Sequence, residues 1–167
     1  MTAFLSPLSF TVPLPTLQEP RLSLNGTINH CSVIDPRILS RIYNHCAATY
    51  PFEACGLLLS PSQSLPLPNT SKNPRREFQV NPFDLQQCLR PYKDTHSVQG
   101  IYHSHVDLPA FFSDKDKQVA LTGGDRPRTP TWVHLVVSVC GGESVVARAF
   151  RWSDEKSDFQ CIWEHHP

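Results

Sequence analysis

Two histidines separated by a single residue, His103 and His105, open a stretch whose residue types could do metal chemistry. Seven residues separate His105 from Ser113, and two more separate Ser113 from Asp116. Because side chains alternate on a strand, both imidazoles project from one face. Ser113 is a predicted helix N-cap, which places Asp116 in the first turn with its carboxylate able to reach back towards the strand. Two nitrogens and one carboxylate oxygen would leave a fourth tetrahedral position for water, as in catalytic zinc sites.

A His-x-His pair on its own fits several kinds of site. Two histidines on a strand are often only hydrogen-bonded within the fold. Metallo-β-lactamase-like hydrolases use His-x-His-x-Asp-His, which this chain follows through Asp107 before departing at Leu108. Amidohydrolases place such a pair on a barrel that needs about 250 residues, whereas this chain has 167. The pair therefore needs further residues before it indicates a particular enzyme.

A carboxylate upstream completes a longer pattern. Glu53 stands just before a strongly apolar run, Ala54 to Leu59. A glutamate on an early strand, His-x-His, seven residues, a serine, two residues and an aspartate form the active site of the JAMM (MPN+) metalloprotease family. All of these positions are filled here at that spacing. The chain therefore resembles this family, in its prokaryotic single-domain form, over about residues 28–152.

The resemblance implies a role for each of these residues. His103, His105 and Asp116 correspond to the ligands of one Zn²⁺ per chain, and Glu53 corresponds to the acid/base that takes a proton from metal-bound water. Ser113 is similar to the serine that helps to stabilise the oxyanion. The chemistry is self-consistent, since zinc lowers the pKa of bound water towards about 7, where a nearby glutamate can accept its proton.

The chain departs from many relatives in the loop between the second histidine and the serine. Val106 and Phe112 stand where those relatives have prolines. Neither position is a ligand, so the change bears on the shape of loop 106–112 and on substrate choice. The loop is too apolar for an ordinary solvated connection. Packing beneath it and contact with a substrate tail both stay open.

Helix and strand signals alternate along the chain and predict the elements that position these residues. Asp35-Pro36 and Asn81-Pro82 each pair an N-cap with proline at the first helical position. Helices are expected to begin at these two sites and at Ser113, and residues 60–74 are expected to form a loop. Strands are expected at residues 27–34, 55–59, 78–80, 98–104, 132–139, 144–152 and 159–163. This order predicts an α+β fold (α-β sandwich), with a mixed, largely antiparallel, curled sheet flanked by helices.

The composition indicates which classes of partner and which compartment to expect. Lys plus Arg and Asp plus Glu each number 15, so no net field recruits nucleic acid or an anionic membrane. No stretch approaches the roughly 18 apolar residues of a membrane span. The six cysteines include no Cys-x-x-Cys pair, which favours a reduced, cytoplasmic protein with buried thiols, Cys55 among them. His134, inside a predicted strand, is expected to be a core histidine or one that supports the site rather than a ligand.

The first 24 residues differ in character from the rest. They carry four prolines and no charged leader followed by a long apolar run, so an irregular arm at 1–24 is expected rather than a secretory signal. The metalloprotease-like domain is expected to span residues 25–167. Nothing in the sequence indicates whether the arm contacts the domain or a partner.

The resemblance implies a zinc-dependent peptidase or isopeptidase. Its expected partner is a ubiquitin-like (sulfur-carrier) protein, cut after the C-terminal diglycine. A non-catalytic scaffold or binding module is the alternative from another class. A different zinc amide hydrolase is the third reading, although the His-x-Glu and Cys-x-x-Cys motifs of deaminases are missing. The oligomeric state, the leaving group and the identity of the carrier are not predicted.

Overall fold

A computed structural model describes residues 34–93 and 96–167. The described part contains three helices and six strands. The predicted strand at 27–34 and the arm at 1–24 lie outside it, except Ile34, which is buried just before the first helix. In chain order the elements are α1 (Pro36–Thr49), β1 (Cys55–Leu59), β2 (Gln63–Leu67), α2 (Pro82–Leu89), β3 (Val98–Val106), α3 (Asp114–Leu121), β4 (Val133–Cys140), β5 (Glu143–Ser153) and β6 (Asp158–His165).

All six strands form one sheet in the order β2-β1-β3-β4-β5-β6. Neighbouring strands are antiparallel except β3 and β4, which run parallel. The mixed, largely antiparallel α+β fold expected from the sequence is therefore confirmed. Strand β3, which carries both histidines, lies in the interior of the sheet and is held on either side by β1 and β4.

The helix starts follow from their capping residues. Asp35 Oδ1 accepts a hydrogen bond from the backbone of Arg37 at 2.8 Å, and proline opens α1. Asn81 caps α2 in the same way through Phe83 N. All three helices thus begin where the sequence predicts, because a side-chain oxygen satisfies a backbone N–H that the helix itself cannot pair.

Helices cover both faces of the sheet. On one face, α1 packs its buried Ile38, Ile42 and Cys46 against Tyr102 of β3 and the alternating residues of β4. On the other face, α2 packs over β1, and the end of α3 packs near β4 and β5. Because β3 alternates, Tyr102 faces α1, and the histidines at odd positions face the α2 and α3 side. The metal-binding candidates therefore lie under α3.

Gly100 allows β3 and β4 to approach closely. A Cβ at this position would lie 2.0 Å from the backbone carbonyl oxygen of Val133, which cannot move aside without breaking the sheet. Gly100 pairs with Val133 at the start of the parallel ladder that carries His103 further along. The glycine thus fixes how the histidine strand lies against its neighbour.

Two predicted assignments between β1 and α2 are wrong. Residues 63–67, expected to be loop, form β2, an edge strand whose Pro66 is tolerated because one side of an edge strand needs no partner. Residues 78–80, expected to be a strand, lie outside the sheet. The backbone of Gln79 is instead bound by Asn69 Oδ1 and by Thr70, which explains why it joins no strand.

No helix in the described ranges is long and apolar enough to cross a membrane.

Candidate metal centre

Strand β3 and the first turn of α3 bring three potential ligand atoms together. The Nε2 atoms of His103 and His105 are 3.3 Å apart. Asp116 Oδ1 lies 3.4 Å from His103 Nε2, and Asp116 Oδ2 lies 3.6 Å from His105 Nε2. Both histidines are buried, and the Asp116 side chain is 12% exposed. The spacing read from the sequence therefore places three donors around one point.

The distances between these donors suit a small tetrahedral cation. Zinc–nitrogen and zinc–oxygen bonds of 2.0–2.2 Å imply ligand atoms about 3.3–3.6 Å apart in a tetrahedron. The two imidazole nitrogens have this separation, and each of them lies 3.4–3.6 Å from one of the two oxygens of the Asp116 carboxylate. The group contains two imidazoles, one carboxylate and no cysteine. It thus fits a metal held by three side chains, the donor set of catalytic rather than structural zinc.

The backbone fixes the tautomer of His105. Its Nδ1 lies 2.9 Å from the carbonyl oxygen of Pro109, which can only accept, so the proton stands on Nδ1 and the Nε2 lone pair faces the other ligands. Aromatic rings contact both imidazoles. Phe78 stacks on His103 with ring centroids 4.8 Å apart, and Phe111 contacts His105 edge-on with centroids 4.9 Å apart. The ligand rings are therefore oriented and shielded by residues that do not bind metal.

A capping box orients Asp116. Ser113 donates from its backbone N at 2.8 Å and from its Oγ at 2.6 Å to Asp116 Oδ2, and Asp116 N donates back to Ser113 Oγ at 3.2 Å. The residue that begins the helix is thus also the residue that aims the carboxylate. The Ser113 hydroxyl proton points at Asp116 in this arrangement.

The charges of the three ligands favour a cation. Burial lowers the pKa of His103 below its usual value, which keeps the imidazole neutral. Burial acts to raise the pKa of Asp116, but the neighbouring imidazoles of His103 and His105 and the hydrogen bond from Ser113 outweigh it and keep that pKa well below its usual range. For His105, burial is likewise outweighed, by Asp116 and the Pro109 carbonyl, and the pKa is raised. A cation would compete with that proton for the Nε2 lone pair.

Ser113→Ala should weaken metal binding about tenfold to a hundredfold, because Asp116 loses the hydroxyl that orients it. The measurement is metal affinity by competition with a chromogenic chelator. Ser113→Thr, which keeps the hydroxyl and the cap, is the matched control and should bind metal nearly as well as the wild type. Equal affinity in all three proteins would show that the hydroxyl does not position the ligand.

Glu53 is buried beside the ligands, just before β1. It is 5% exposed and lines the same cavity as the three donors. Burial raises the pKa of Glu53 to about 7, with His105 acting to lower it and Asp116 to raise it. A carboxyl group with this pKa can hold or release a proton near neutral pH.

The burial of Glu53 predicts a pH-dependent stability of the metal-free protein. The folded state keeps this proton up to about pH 7, whereas the unfolded chain releases it near pH 4.5. The folded state therefore binds more protons between these values, and stability falls as pH rises through them. Glu53→Gln should lack this loss, which is on the order of 3 kcal/mol. Denaturant unfolding of both proteins at pH 5 and pH 8 measures it, and parallel pH profiles would contradict it.

Asn69 holds the surroundings of Glu53 and was not identified from the sequence. Its Nδ2 donates to the carbonyl oxygens of Glu53 at 2.9 Å and Glu77 at 3.1 Å. Its Oδ1 accepts from the backbone of Ser71 at 3.0 Å and Gln79 at 3.1 Å. The amide thus ties the base candidate to the segment that carries Phe78. An asparagine in a proline-rich stretch gives no sequence signal of this role.

In a hydrolase built on this centre, Asn69→Ala should lower turnover about tenfold while metal stays bound, because Glu53 and Phe78 lose their common anchor. Asn69→Asp separates the two halves of the contact: it keeps an acceptor for Ser71 and Gln79 but loses the donor to Glu53. Steady-state kinetics and metal content of both variants provide the measurement. Unchanged kcat in the metal-loaded alanine variant would contradict the assignment.

Some side chains of the loop at 106–112 are buried and others are exposed. Ala110 and Phe112 are buried, whereas Leu108 and Phe111 are 49% and 42% exposed. Ser138 Oγ donates to the Leu108 carbonyl at 2.7 Å, which pins the loop to β4. Packing under the loop is therefore present, and two of its apolar side chains stay exposed.

A cavity of about 270 Å³ extends from the ligands beneath α3. His134 of β4 lines it and is 8% exposed. Its Nε2 is buried with no hydrogen-bond partner among the described residues. Burial lowers the pKa of His134 to about 4, so the ring is neutral at neutral pH. His134 does not belong to the group of three ligands.

Cys55 behaves as expected for a buried thiol. It is fully buried in β1, and burial raises its pKa to about 12, so it is not a nucleophile at neutral pH.

Comparison with known proteins places the chain in a family. A family model described as prokaryotic homologs of the JAB domain matches residues 35–153, which include every residue of the candidate site. The chain therefore belongs to the JAB family of JAMM/MPN-type domains. No protein with a curated function matches the sequence.

Two solution structures share the fold, and a further solved structure is similar to the chain. A solution structure of a protein from Desulfitobacterium hafniense is 22% identical over 77% of this chain and 87% of that chain, with a TM-score of 0.58. One from Salinibacter ruber is 25% identical over 80% and 96%, with a TM-score of 0.52. A JAB1/MPN domain protein from Archaeoglobus fulgidus is 18% identical over 74% and 89%, with a TM-score of 0.41.

Proposed function

We propose that this protein is a zinc-dependent peptidase or isopeptidase that cuts the amide bond after the C-terminal diglycine of a ubiquitin-like sulfur-carrier protein. The observation that carries the proposal is the convergence of His103, His105 and Asp116 beside a buried carboxyl group with a pKa near 7. Membership of the JAB family supports it, since that family includes metallo-isopeptidases as well as inactive members.

The three donors would hold the metal, which supplies Lewis-acid polarisation of the scissile carbonyl and a more acidic water. The chain's own residues prepare this site. His103 stays neutral through burial, Asp116 stays ionised through its hydrogen bonds, and Pro109 keeps the His105 proton on Nδ1. Each ligand therefore presents a lone pair or a negative charge to the same point.

Glu53 is the proton carrier in this proposal. As a carboxylate it takes a proton from the attacking water, and as a carboxylic acid it passes that proton to the departing amine. A pKa of about 7 serves both steps at neutral pH, because neither form of the group is strongly disfavoured. The hydrogen bonds that hold its backbone, from Glu53 N to Pro74 O at 2.7 Å and from Asn69, keep the group in place between the two steps.

Ser113 has two roles to reconcile. The resemblance implies that it stabilises the oxyanion, and its hydroxyl donates to Asp116 in this structure. A serine with one O–H proton can serve only one acceptor at a time. We assign it the positioning of Asp116 when no substrate is bound, and the proposal includes a turn of the hydroxyl towards the developing oxyanion.

A scaffold function is the competing proposal from another class. JAB-type domains that lack metal ligands would need no buried carboxyl group beside the site. This chain keeps all three ligands and Glu53, and it also keeps the capping box and the Pro109 contact that orient them. The retained supporting contacts favour catalysis over scaffolding.

The proposal is tested by incubating the zinc-loaded protein with ubiquitin-like sulfur carriers extended past their diglycine tails. Intact mass of the products locates the cut. Cleavage after the diglycine by the wild type, and not by Glu53→Gln, is the expected result. A protein that holds one zinc per chain and cuts none of the carriers would overturn the carrier as substrate. Binding of a carrier without cleavage would favour the scaffold.

A further inference from the structure

The cavity does not end at the metal centre. It is lined by Ser113 and Asp116 at the start of α3 and by Val119 and Thr122 towards its end. Since α3 has eight residues, this run of helix is about 12 Å long. The space beneath it therefore extends well beyond what the three ligands and a water molecule need.

His134 and Glu53 lie next to opposite edges of β3, because His134 is on β4 and Glu53 directly precedes β1. In the parallel β3–β4 ladder, His134 pairs with Ile101, two residues before His103. Strand β1, which follows Glu53, pairs with the other edge of β3. Because Ile101 and His103 share a face, His134 lies on that face about two residues, or roughly 7 Å, towards the strand starts. It therefore lines the far part of the cavity.

The surroundings of His134 are apolar. The centroid of its ring lies 4.9 Å from the ring centroid of Phe112 and 5.2 Å from that of Phe159. Ile101, Val119 and Trp132 also line the cavity, together with Thr122, Arg128 and Thr129. Apolar side chains with a few polar groups among them are the usual lining of a pocket that orients a ligand by hydrogen bonds.

The imidazole has hydrogen-bonding capacity that the described protein does not use. Its Nε2 is buried and without a partner among residues 34–93 and 96–167. A buried polar atom left unpaired destabilises the fold, whereas an apolar residue of similar shape would fill this place without that cost. A histidine here is accounted for if a bound molecule brings the partner.

We propose that this far part of the cavity is a subsite for the residue released on the amine side of the cut, and that His134 selects a side chain with an apolar body and one hydrogen-bonding group. The inference rests on the proposed function, in which the acyl side of the bond ends in two glycines. Glycines have no side chains to fill an apolar cavity. The amine side is therefore the part of the substrate that can occupy it.

The test uses four conjugates of one sulfur carrier, extended past the diglycine by a single Gln, Met, Tyr or Phe. Gln and Met differ mainly in their polar tip, as do Tyr and Phe. In at least one pair, the wild type should cut the polar member with a kcat/KM about tenfold or more above that of its apolar counterpart. Anisotropy with Glu53→Gln should show the same preference in binding.

Two variants separate selection from folding. His134→Phe removes both nitrogens and should bring the preference to about one, with thermal stability equal to or above that of the wild type. His134→Gln keeps a hydrogen-bonding group and should retain part of the preference. Cleavage of all four conjugates at equal rates by the wild type would overturn the inference alone and leave the cavity to water. No cleavage and no binding of any conjugate would overturn the proposed function, and the inference with it.

Discussion

Glu53→Gln is expected to lose turnover by a factor of about 10²–10⁴ while it retains one zinc per chain. The amide is close in size to the carboxyl group and can stay in the same buried place, but it cannot accept the proton of an attacking water. None of the three ligand atoms belongs to Glu53, so metal binding has no direct reason to fail. Kinetics on a cleavable carrier, with metal content by mass spectrometry, measure both quantities.

A matched carboxylate provides the control for this prediction. Glu143→Gln makes the same chemical change at an exposed position at the start of β5. It should leave both turnover and metal content unchanged. If Glu53→Gln kept wild-type turnover, another group would have to carry the proton. The assignment of Glu53 as the base would then be wrong, whatever the metal content of the variant.

The helices and most of the strands could be predicted from the sequence because local signals determine them. Asp35-Pro36, Asn81-Pro82 and Ser113 each combine a capping side chain with a helical pattern, and all three helices begin there. The apolar run at Cys55–Leu59 is buried along its whole length, as expected for an interior strand. Capping and burial act over a few residues, which is why they can be read without the fold.

The errors fall where a distant residue decides the local structure. Residues 78–80 have strand-like composition, but Asn69 binds the backbone of Gln79 and keeps this segment out of the sheet. Residues 63–67 look like a loop because of Pro66, yet β1 offers an unpaired edge that a proline-containing strand can join. In both cases the competing partner lies elsewhere in the chain, beyond what periodicity or turn residues report.

The candidate site divides in the same way. The spacing of His103, His105 and Asp116 was sufficient to predict that they meet, because strand alternation and a helix cap control where those side chains point. The groups that orient these three side chains could not be predicted from the sequence. The Pro109 carbonyl that fixes the His105 tautomer belongs to the backbone, and every residue type has such a group, so the sequence does not indicate this contact. His134 was expected to be a core or supporting histidine, and only the structure shows that it lines a cavity and that its buried Nε2 has no hydrogen-bond partner among the described residues.

His105→Ala is expected to abolish both metal binding and turnover. Removing one of three ligands leaves His103 and Asp116, and two side-chain donors hold a zinc ion far more weakly than three. The loss also removes the contact through which Pro109 and loop 106–112 orient the site. Metal content should fall below one tenth per chain after dialysis, and cleavage of the carrier should be undetectable.

The control for His105→Ala is a histidine outside the site. His166 has a side chain 68% exposed and pairs with Glu164, so His166→Ala removes an imidazole without touching the ligands. It should bind one zinc per chain and retain wild-type kinetics. Excess zinc gives a second check, because a weakened site should recover some activity as the metal concentration rises. Full activity of metal-free His105→Ala would mean that hydrolysis does not depend on this centre, and the metalloenzyme proposal would be overturned.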